Sequence, residues 1–475
     1  MPVPVISVET MRAWEAASWA AGETAEAVIQ RVGRIVAARA LKLTRPGERL
    51  LLLAGRGHNG DDVRASLPHL AAREVDLIDV VDPLAQVDAV RVALGRKPAL
   101  VIDGLFGIGL NRPLSKEWQE LIKWINQTAG WVMAVDVPSG LNADTGADWG
   151  AAIRADLTLT LGAPKAGLLA PAAGRFVGRL EVAPEIGLAP GFPDSDQWWA
   201  VPADFTALIP RRVAAGHKGT FGHLVILGGS PGYHGAAVLA ARAAQRAQPG
   251  LVSLFTPPSV YLPVATQLQA VMVQEWTPAA VWPNSSTAFV LGPGLAAPGL
   301  SPEMRATADR LWHESSAPVI VDASALDWLS PGTPRGDGTR VITPHPGEAA
   351  RLLGVSTAAV QADRAGALRK LSQLHGGCWV VLKGQHTLVG RDGEEIHLNP
   401  SGNPYLAQGG AGDVLAGFLG GLLAQPAWQM SPRETIRYAV WAHGLAADLL
   451  SERRPNWVIE DLVEILGQTN GAEIP

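Results

Sequence analysis

The segment QGGAGDVLAG, residues 408–417, has glycine at four of its ten positions and a single carboxylate, Asp413. The apolar run that follows it predicts a helix over residues 412–424. Gly410 and Gly412 would leave free N–H groups at the start of that helix, and such groups can hold phosphate oxygens. The segment therefore predicts an anion site that contains an acid.

Two interpretations of Asp413 are open at this point. A first-turn carboxylate stabilises a helix by roughly 1 kcal/mol. Alternatively, an acid beside a phosphate cradle is a general base for phosphoryl transfer to a hydroxyl group. The segment is not a Walker A loop, because no GK[ST] follows the glycines.

Short apolar runs separated by helix-like stretches precede this segment throughout the second half of the chain. They are HLVILGGS (223–230), GLVSLFTP (250–257), TAFVLGPG (287–294), APVIVDAS (317–324), RVITPHPG (340–347) and WVVLKG (379–384). Near-continuous apolar strands between helices predict a parallel sheet that is covered on both faces. A further helix is predicted over 432–450.

The first half shows the same alternation. Its runs are ERLLLLAG (48–55), PALVIDGLFG (98–107), WVMAVDVPSG (131–140) and DLTLTLG (156–162), with two helices predicted within 8–41. Segment 183–203 is rich in Pro, Gly and Asp and predicts a linker. We therefore expect two doubly wound three-layer α/β/α domains, residues 1–205 and 206–475.

The composition of the chain argues against several classes of partner and site. The 475 residues carry a formal net charge of −5, and no dense run of Lys or Arg suggests nucleic acid or an anionic membrane as a partner. Cys378 is the single cysteine, which excludes an intramolecular disulfide and a cysteine-based zinc site. With no signal-peptide pattern and no long apolar span, we expect a cytoplasmic protein that acts on small molecules.

Ligands of open α/β sheets bind beyond the carboxyl ends of the strands, where three segments of the second half carry polar groups. GGSPGYHGAA (228–237) fits either an anion-binding turn or a plain tight turn. Lys383 and Thr387 in LKGQHT (382–387) could reach a phosphate chain, or the lysine could simply be solvated. His345 in TPHPGE (343–348) lies between prolines, and it could face a ligand or water.

In the first half, AGRGHNGDD (54–62) follows a strand and could also hold a phosphate. Asp103 and Asp136 end two further strands. Each acid alone is more often the start of a turn. Three polar strand ends on one sheet edge nevertheless favour a pocket.

Five segments of the second half resemble those of the ADP-dependent NAD(P)HX dehydratases, whose fold is ribokinase-like. They are HKGTFGHLVILGGSPGYHGAA (217–237), DASAL (322–326), ITPHPGEAARLLG (342–354), VVLKGQHT (380–387) and NPSGNPYLAQGGAGDVLAG (399–417). They stand in the family's order, and the resemblance they carry extends over almost all of residues 206–470. Ala411 stands where that family usually has threonine, which removes one hydroxyl beside the phosphates.

The resemblance implies repair of a hydrated nicotinamide cofactor, NADHX or NADPHX. Asp413 would take the proton of the ring hydroxyl as ADP phosphorylates it, and loss of phosphate would give NAD(P)H, AMP and inorganic phosphate. The hydrated cofactor would contact Ala236, Gly294, His345 and Asp413. The nucleotide, with Mg²⁺ on its phosphates, would contact Lys383, Gly384, Gln385, His386, Thr387 and Gly412.

Residues 5–190 are similar to the NAD(P)HX epimerase domain, which is often fused ahead of the dehydratase. This resemblance implies a potassium ion held by oxygens of Asn59, Asp103 and Ser139. Asp136 would be catalytic. The hydrated cofactor would contact His58, Asn59, Gly60, Asp61, Asp62, Gly107, Ile108, Gly109, Leu110, Asn111, Arg112, Pro113 and Asp136.

HNGDDV (58–63) departs from the NNGGDG pattern of the epimerases. His58 replaces Asn, while Asp61 and Val63 replace glycines. A glycine permits positive φ or close approach to phosphate, and Asp61 adds negative charge beside a diphosphate. The alternative for this half is a non-catalytic interaction domain.

The alternative for the second half is a kinase of vitamin-precursor type, because ribokinase-like proteins mostly phosphorylate hydroxyl groups. The product separates the two: a stable phosphate ester for a kinase, a reduced nicotinamide for a dehydratase. In either case we expect small-molecule substrates and a homo-oligomer.

Overall fold

The computed structural model describes residues 1–206, 208–277 and 279–468. The chain forms two compact units, Val3–Asp196 and Gln197–Pro475 with Met1–Pro2. The division lies inside the segment 183–203, ahead of the expected boundary near residue 205. The last residues of the second predicted domain, 469–475, lie outside the described residues.

The N-terminal unit is a parallel α/β sheet with its helices in the connections between strands. The strands of this sheet are β2 (Arg49–Ala54), β3 (Glu74–Asp79), β4 (Leu100–Gly104), β5 (Val132–Val135), β6 (Leu157–Leu161) and β7 (Arg179–Ala183), and the short strand β1 (Val3–Pro4) is not part of it. Its helices are α1 (Val8–Ala20), α2 (Ala25–Leu43), α3 (His58–Ser66), α4 (Pro83–Gly95), α5 (Lys116–Thr128) and α6 (Gly174–Val177).

The sheet runs in the order β3-β2-β4-β5-β6-β7, and each adjacent pair is parallel. The chain turns outward from β2 to β3 and then returns to β4 on the other side of β2. Ligands of such sheets bind at the carboxyl ends of the strands where the order reverses. The fold therefore places a crevice beyond β2 and β4.

The C-terminal unit is a second, larger α/β sheet. Its strands are β8 (Gln197–Trp199), β9 (His223–Leu227), β10 (Leu251–Thr256), β11 (Met272–Glu275), β12 (Ala288–Leu291), β13 (Val319–Val321), β14 (Arg340–Ile342), β15 (Trp379–Leu382), β16 (Leu388–Gly390) and β17 (Ile396–Leu398). Its helices are α7 (His234–Arg246), α8 (Pro258–Ala265), α9 (Pro302–Glu314), α10 (Pro346–Leu353), α11 (Thr357–Ala362), α12 (Arg364–Leu374), α13 (Ala411–Leu423), α14 (Pro426–Gln429), α15 (Pro432–Arg453) and α16 (Ile459–Ile465).

Its strands follow the order β8-β17-β16-β15-β14-β13-β12-β9-β10-β11. The pairs from β15 through β9 to β11 are parallel, while β16 is antiparallel to both of its neighbours. Here the order reverses at β9, between β10 and β12. The doubly wound class predicted for both halves is confirmed, and so are the helices predicted at 412–424 and 432–450.

Glycines bring α13 close to its neighbours. A Cβ at Gly417 would lie 2.0 Å from the carbonyl oxygen of Ala240, and one at Gly421 would lie 2.5 Å from that of Ala244, both on α7. A Cβ at Gly420 would meet Val290 of β12 at 2.2 Å. These close approaches fix the position of α13, and with it the position of Asp413, over the sheet.

A membrane-spanning helix needs about 20 residues and a predominantly apolar sequence. Within the described parts of the chain, no helix meets both requirements.

Candidate active sites

The first site is built around the N-terminus of α13. Gly410 is the N-cap residue, with a φ of 97° in the left-handed region, and no side chain caps the helix there. Asp413 lies in the first turn and does not occupy the capping position. Because first-turn amides have no intrahelical acceptor, the N–H groups of Gly412 and Asp413 are available to a ligand.

Two further strand ends meet this helix terminus. The ammonium Nζ of Lys383, after β15, lies 2.7 Å from Oδ1 of Asp322, after β13. That oxygen also accepts a hydrogen bond of 2.7 Å from the hydroxyl of Thr343. A Cβ at Gly412 would lie only 3.1 Å from the Lys383 Nζ and 3.5 Å from Oδ2 of Asp322. Glycine at 412 thus leaves room for the lysine beside the helix.

Burial and the charges of this cluster together set the pKa of Asp413. Burial raises the pKa of Asp413 to about 7, the negative charges of Asp322 and Glu348 act in the same direction, and Lys383 opposes them. Burial alone would lower the pKa of Lys383, but the neighbouring carboxylates outweigh it and the pKa is raised. Near neutral pH the site therefore holds a fixed cation and a carboxylate that can gain or lose a proton.

His345, which was expected to contact the hydrated cofactor, has a structural role at this site. It is the N-cap residue of α10, and its Nδ1 accepts hydrogen bonds from the N–H groups of Gly347 (3.0 Å) and Glu348 (3.3 Å). The Glu348 carboxylate accepts one of 2.7 Å from the His345 N–H, which completes a capping box. Glu348 also lies 3.9 Å from the Lys383 ammonium.

Arg364, at the start of α12, holds the loop after β15 in place. Its guanidinium donates to the carbonyl oxygens of Leu382 (3.0 Å), Lys383 (3.3 Å) and Gln385. Burial lowers the pKa of Arg364 to about 10, so the guanidinium stays charged at neutral pH. One side chain therefore fixes the backbone of a loop that was predicted to bind a nucleotide.

The remaining residues of this loop make local contacts. His386 has a φ of 51°, and the centroid of its ring lies 5.0 Å from that of Trp199. Burial, with a smaller contribution from Arg364, lowers the pKa of His386 to about 4, so its ring is neutral. The Thr387 hydroxyl donates to the carbonyl of Gly384 at 3.0 Å, so it is used inside the loop.

Ala236 and Gly294 contact each other at the carboxyl ends of β9 and β12. Gly294 has a φ of 72°, and a Cβ built there would lie 3.1 Å from the Cβ of Ala236 and 2.2 Å from the carbonyl oxygen of Tyr233. The Ser230 hydroxyl donates to the Gly294 carbonyl at 2.6 Å. This pair adjoins the N-terminus of α7, whereas Lys383 and Asp413 gather near β13 and β15.

The expected Mg²⁺ fits this site only together with a nucleotide. Among the residues that the structure describes, no group of three or more His, Cys, Asp or Glu side chains is arranged to hold a metal ion. The carboxylates of Asp322 and Glu348 are engaged with Lys383. The donor set therefore suits a Mg²⁺ carried mainly by phosphate oxygens, as is common in phosphoryl transfer.

The second site is a cavity of about 860 Å³ in the N-terminal unit. It lies at the carboxyl ends of the central strands. Of the residues predicted to bind the hydrated cofactor, it is lined by His58, Asn59, Asp62, Gly107, Ile108, Gly109, Leu110, Asn111, Arg112 and Asp136. Gly60, Asp61 and Pro113 do not line it.

Asp136 lies at the floor of this cavity beside a buried lysine. Its Oδ1 accepts hydrogen bonds from Nζ of Lys165 at 2.5 Å and from the N–H of Leu161 at 3.2 Å. Lys165 has no exposed surface, and it also donates to the Leu161 carbonyl at 2.8 Å. Asp136 has a φ of 65°, a conformation that non-glycine residues adopt mainly at turns and functional sites.

Three residues expected to hold potassium converge on the backbone of Phe106. Asn59 Nδ2 donates to the Phe106 carbonyl at 2.8 Å, and the Phe106 N–H donates to the Ser139 hydroxyl at 2.8 Å. Ser139 in turn donates to Asp103 Oδ1 at 2.6 Å. The buried Oδ1 of Asn59 has no hydrogen-bond partner. An unpaired oxygen among neighbouring oxygens fits a hard monovalent cation.

Acids other than Asp136 also face this cavity or lie near it. Burial raises the pKa of Asp62 well above its usual range, and the charges of Asp136, Asp61 and Glu15 add to the effect. Burial raises the pKa of Glu15 as well, with Asp136 contributing. The fully buried Asp103 has a pKa of about 6, because hydrogen bonds from Ser139 only partly offset its burial.

The departures from the epimerase pattern cause no backbone strain. Residues 58–66 form α3, and His58, Asp61 and Val63 do not have positive φ. The Asp61 carboxylate is paired with the guanidinium of Arg64 at 2.8 Å. Val63 is fully buried, and its Cγ2 lies 2.4 Å from where a Cβ of Gly104 would stand.

Several residues of these sites were not predicted individually: Glu15, Lys165, Asp322, Glu348, Arg364 and His443. Lys165 and Asp322 follow strands, as the predicted residues do, so their position was an available signal. Arg364 donates to carbonyls of the loop after β15, and Nε2 of His443, in α15, lies 3.0 Å from the carbonyl oxygen of Ala411; such contacts leave no pattern along the chain.

Comparison with known proteins finds matches to both halves of the chain. The family described as NAD(P)H-hydrate dehydratase matches residues 224–467, and the one described as YjeF-related protein N-terminus matches residues 82–167. The bifunctional NAD(P)H-hydrate repair enzyme of Gloeobacter violaceus is 35% identical over 476 residues, which cover 92% of each chain. The Escherichia coli enzyme of that name is 36% identical over 434 residues, 85% of this chain and 81% of its own.

A solved structure is similar to the C-terminal part. It is an ADP/ATP-dependent NAD(P)H-hydrate dehydratase from Bacillus subtilis, co-crystallised with ATP/Mg²⁺, with 31% identity and a TM-score of 0.50. The similarity covers 56% of this chain and 94% of that one. Together with the matches to both halves, it shows that the chain belongs to the family of bifunctional NAD(P)H-hydrate repair enzymes.

Proposed function

We propose that the C-terminal unit dehydrates the S form of NADHX and NADPHX with ADP, and that the N-terminal unit interconverts the R and S forms. The observation that carries the proposal is Asp413: a carboxylate whose pKa is about 7, at a helix N-terminus and beside a lysine. A group of that pKa is suited to accept a proton near neutral pH.

In the dehydratase reaction, Asp413 accepts the proton of the hydroxyl on C6 of the nicotinamide ring. The hydroxyl oxygen forms a bond to the terminal phosphorus of ADP, and the bond from that phosphorus to the AMP oxygen breaks. The ring nitrogen then displaces inorganic phosphate from C6, and loss of a proton from C5 completes the reduced nicotinamide.

The other residues of the site bind and orient the nucleotide. Lys383 offers its ammonium and Gly412 its free N–H to the phosphate oxygens. The loop 383–387, held by Arg364, would contact the adenine nucleotide. Bound Mg²⁺ would neutralise charge on the transferred phosphoryl group.

In the N-terminal unit, Asp136 would exchange protons with the hydrated ring inside the 860 Å³ cavity. Lys165 would hold that carboxylate in position. Asn59, Asp103 and Ser139 would bind a potassium ion beneath the loop 107–113, which would shape the wall of the cavity. Inversion at C6 requires the C6–O bond to break, with a proton supplied to the departing water, and to re-form on the other face while a second group takes a proton from the attacking water; acids in this cavity could serve both roles.

The test is to incubate the full chain with an R/S mixture of NADHX, using ADP and ATP in parallel. We expect the absorbance of the reduced nicotinamide to return, AMP and phosphate to be released with ADP, and both forms of NADHX to be consumed. A stable phosphorylated alcohol would instead identify a kinase. Consumption of the S form alone would show that the N-terminal unit is not an epimerase.

A further inference from the structure

His443 lies in the middle of α15, 7% exposed, close to the first turn of α13. Its Nε2 is 3.0 Å from the carbonyl oxygen of Ala411. A carbonyl can only accept, so this nitrogen carries the hydrogen. Burial lowers the pKa of His443 to about 4, so at neutral pH the ring is an uncharged donor.

The contact bears on Gly412 through the geometry of the peptide bond. The Ala411 carbonyl and the Gly412 N–H belong to one planar trans unit and point in opposite directions. When His443 holds the oxygen, the direction of the N–H is fixed as well. That N–H belongs to the helix terminus where Gly412 faces the Lys383 ammonium, 3.1 Å from the place of a Cβ.

The Ala411–Gly412 peptide unit lies in a stretch of backbone that has unusual conformational freedom. Gly410, with a φ of 97°, precedes this unit and Gly412 supplies its nitrogen, and glycine loses more conformational freedom on ordering than any other residue. Ala411 has no hydroxyl with which to fix the turn. The His443 hydrogen bond is therefore a polar restraint placed on the peptide unit itself.

We propose that His443 is a positioning residue, which orients the Ala411–Gly412 peptide so that the Gly412 N–H meets the phosphates of the bound nucleotide. The inference rests on the proposed nucleotide site. It adds a residue on a helix remote in sequence, which acts through the backbone and touches no substrate.

The test compares His443→Leu, which removes the donor, with His443→Gln, whose side-chain amide can still donate. Calorimetry measures binding of Mg·ADP and, separately, of adenosine, which carries no phosphate. We expect His443→Leu to bind Mg·ADP roughly tenfold more weakly, as for the loss of an aligned hydrogen bond to a charged group, with adenosine unaffected. His443→Gln should recover most of the affinity for Mg·ADP.

His375→Leu is the matched control, because His375 is another buried histidine, 1% exposed, outside both candidate sites. It should leave binding of both ligands unchanged. If His443→Leu does not fold, as judged by circular dichroism, His443→Asn serves in its place, since its shorter amide falls short of the Ala411 carbonyl.

Two results would overturn the inference: unchanged Mg·ADP binding without the donor, or an equal loss for adenosine and Mg·ADP. Failure of the proposed function looks different. A native protein that binds Mg·ADP but does not release AMP from NADHX mixtures would refute the dehydratase, while the comparison of binding remained decisive. A native protein that does not bind Mg·ADP would refute both.

Discussion

Each unit of this protein places a lysine against a carboxylate at the carboxyl edge of its sheet, Lys165 fully buried and Lys383 partly buried, but the two pairs differ in one respect. In the N-terminal unit the partner of Lys165 is Asp136 itself, at 2.5 Å. In the C-terminal unit the partner of Lys383 is Asp322, at 2.7 Å, and Asp413 is left without an ion pair at hydrogen-bond distance.

The difference matters for the chemistry that each acid can perform. The short contact with the Lys165 ammonium holds the Asp136 carboxylate in place. A buried carboxylate near other acids is protonated more easily, and the pKa of Asp413 is raised to about 7. The same residue types thus give a carboxylate held by a lysine in one unit and a proton acceptor that titrates near neutral pH in the other.

The largest effect is expected from Asp413→Asn. Because the amide cannot accept the hydroxyl proton, dehydratase turnover should fall by roughly 10²–10⁴-fold, while Mg·ADP binding stays within a few-fold. Turnover is measured by nicotinamide absorbance and binding by calorimetry. Glu303→Gln, in the first turn of α9, is the control for the effect of a first-turn acid on its helix. Near-normal turnover would reduce Asp413 to that helix-stabilising role.

Lys165→Met breaks the other pair. It leaves Asp136 buried without its cation, at a cost of about 3–5 kcal/mol in the free energy of unfolding, and should abolish interconversion of R and S NADHX. The dehydratase should still consume the S form, which chiral chromatography of the residual NADHX can follow. The double variant Lys165→Met/Asp136→Asn should regain stability but not epimerase activity. If Lys165→Met still interconverts the two forms, the pair is structural.

The sequence anticipated part of this comparison. Asp103, Asp136 and Lys383 were found because they follow apolar runs, and the carboxyl ends of parallel strands meet at one edge. The partners Lys165 and Asp322 follow strands too, but their pairing depends on which strands are neighbours. The order of strands in a sheet cannot be read from local sequence patterns, because successive strands are added first on one side of the starting strand and then on the other.

Short or polar elements were also missed. β3 (EVDLID) alternates polar and apolar residues and has no continuous apolar run. β8 has three residues, QWW, inside the segment predicted to be a linker, and it pairs with β17, almost 200 residues later. Such strands are stabilised mainly by pairing with neighbouring strands, because their sequences have little intrinsic preference for the β conformation.

Removing Arg364 tests whether the nucleotide loop needs its anchor. Arg364→Met deletes the donors to the carbonyls of Leu382, Lys383 and Gln385, so the KM for ADP should rise roughly tenfold, while epimerisation is unaffected. Steady-state kinetics measures both. Arg369→Met, on the same helix and bonded to the Glu394 carbonyl, is the control and should leave the KM unchanged. An equal change in both variants would indicate a general effect on α12.

The pH profile sharpens the comparison further. Asp413 must be ionised to accept a proton, so dehydratase kcat should rise with pH through about 7. Asp322→Asn removes the charge that, after burial, most raises this pKa, so the midpoint should move to lower pH. A profile that is flat between pH 5 and 8 would contradict Asp413 as the base.

Potassium should have the smallest effect and act on the N-terminal unit. A ligand at 100 times its Kd adds about 2.7 kcal/mol to the free energy of unfolding, and each kcal/mol raises the Tm of a unit of this size by roughly 2–4 °C. The Tm in KCl is compared with that in LiCl at equal ionic strength. Asn59→Ala, which removes the unpaired Oδ1, should erase the difference. A difference that survives this change would place the ion elsewhere.

Val63 and Gly104 share one volume inside the N-terminal unit. Because the valine methyl lies 2.4 Å from where a Gly104 Cβ would stand, only one of the two positions can carry a bulky side chain. Restoring the family glycine at 63 would not repair this loop; it would open a void that a side chain at 104 could not simply fill, because a Cβ there would also lie 2.8 Å from the carbonyl oxygen of Asn59. A sequence motif lists residues that are consecutive in the chain and omits their neighbours in space. A departure from the motif, such as Val63, can therefore be accommodated by a residue forty-one positions away, here Gly104.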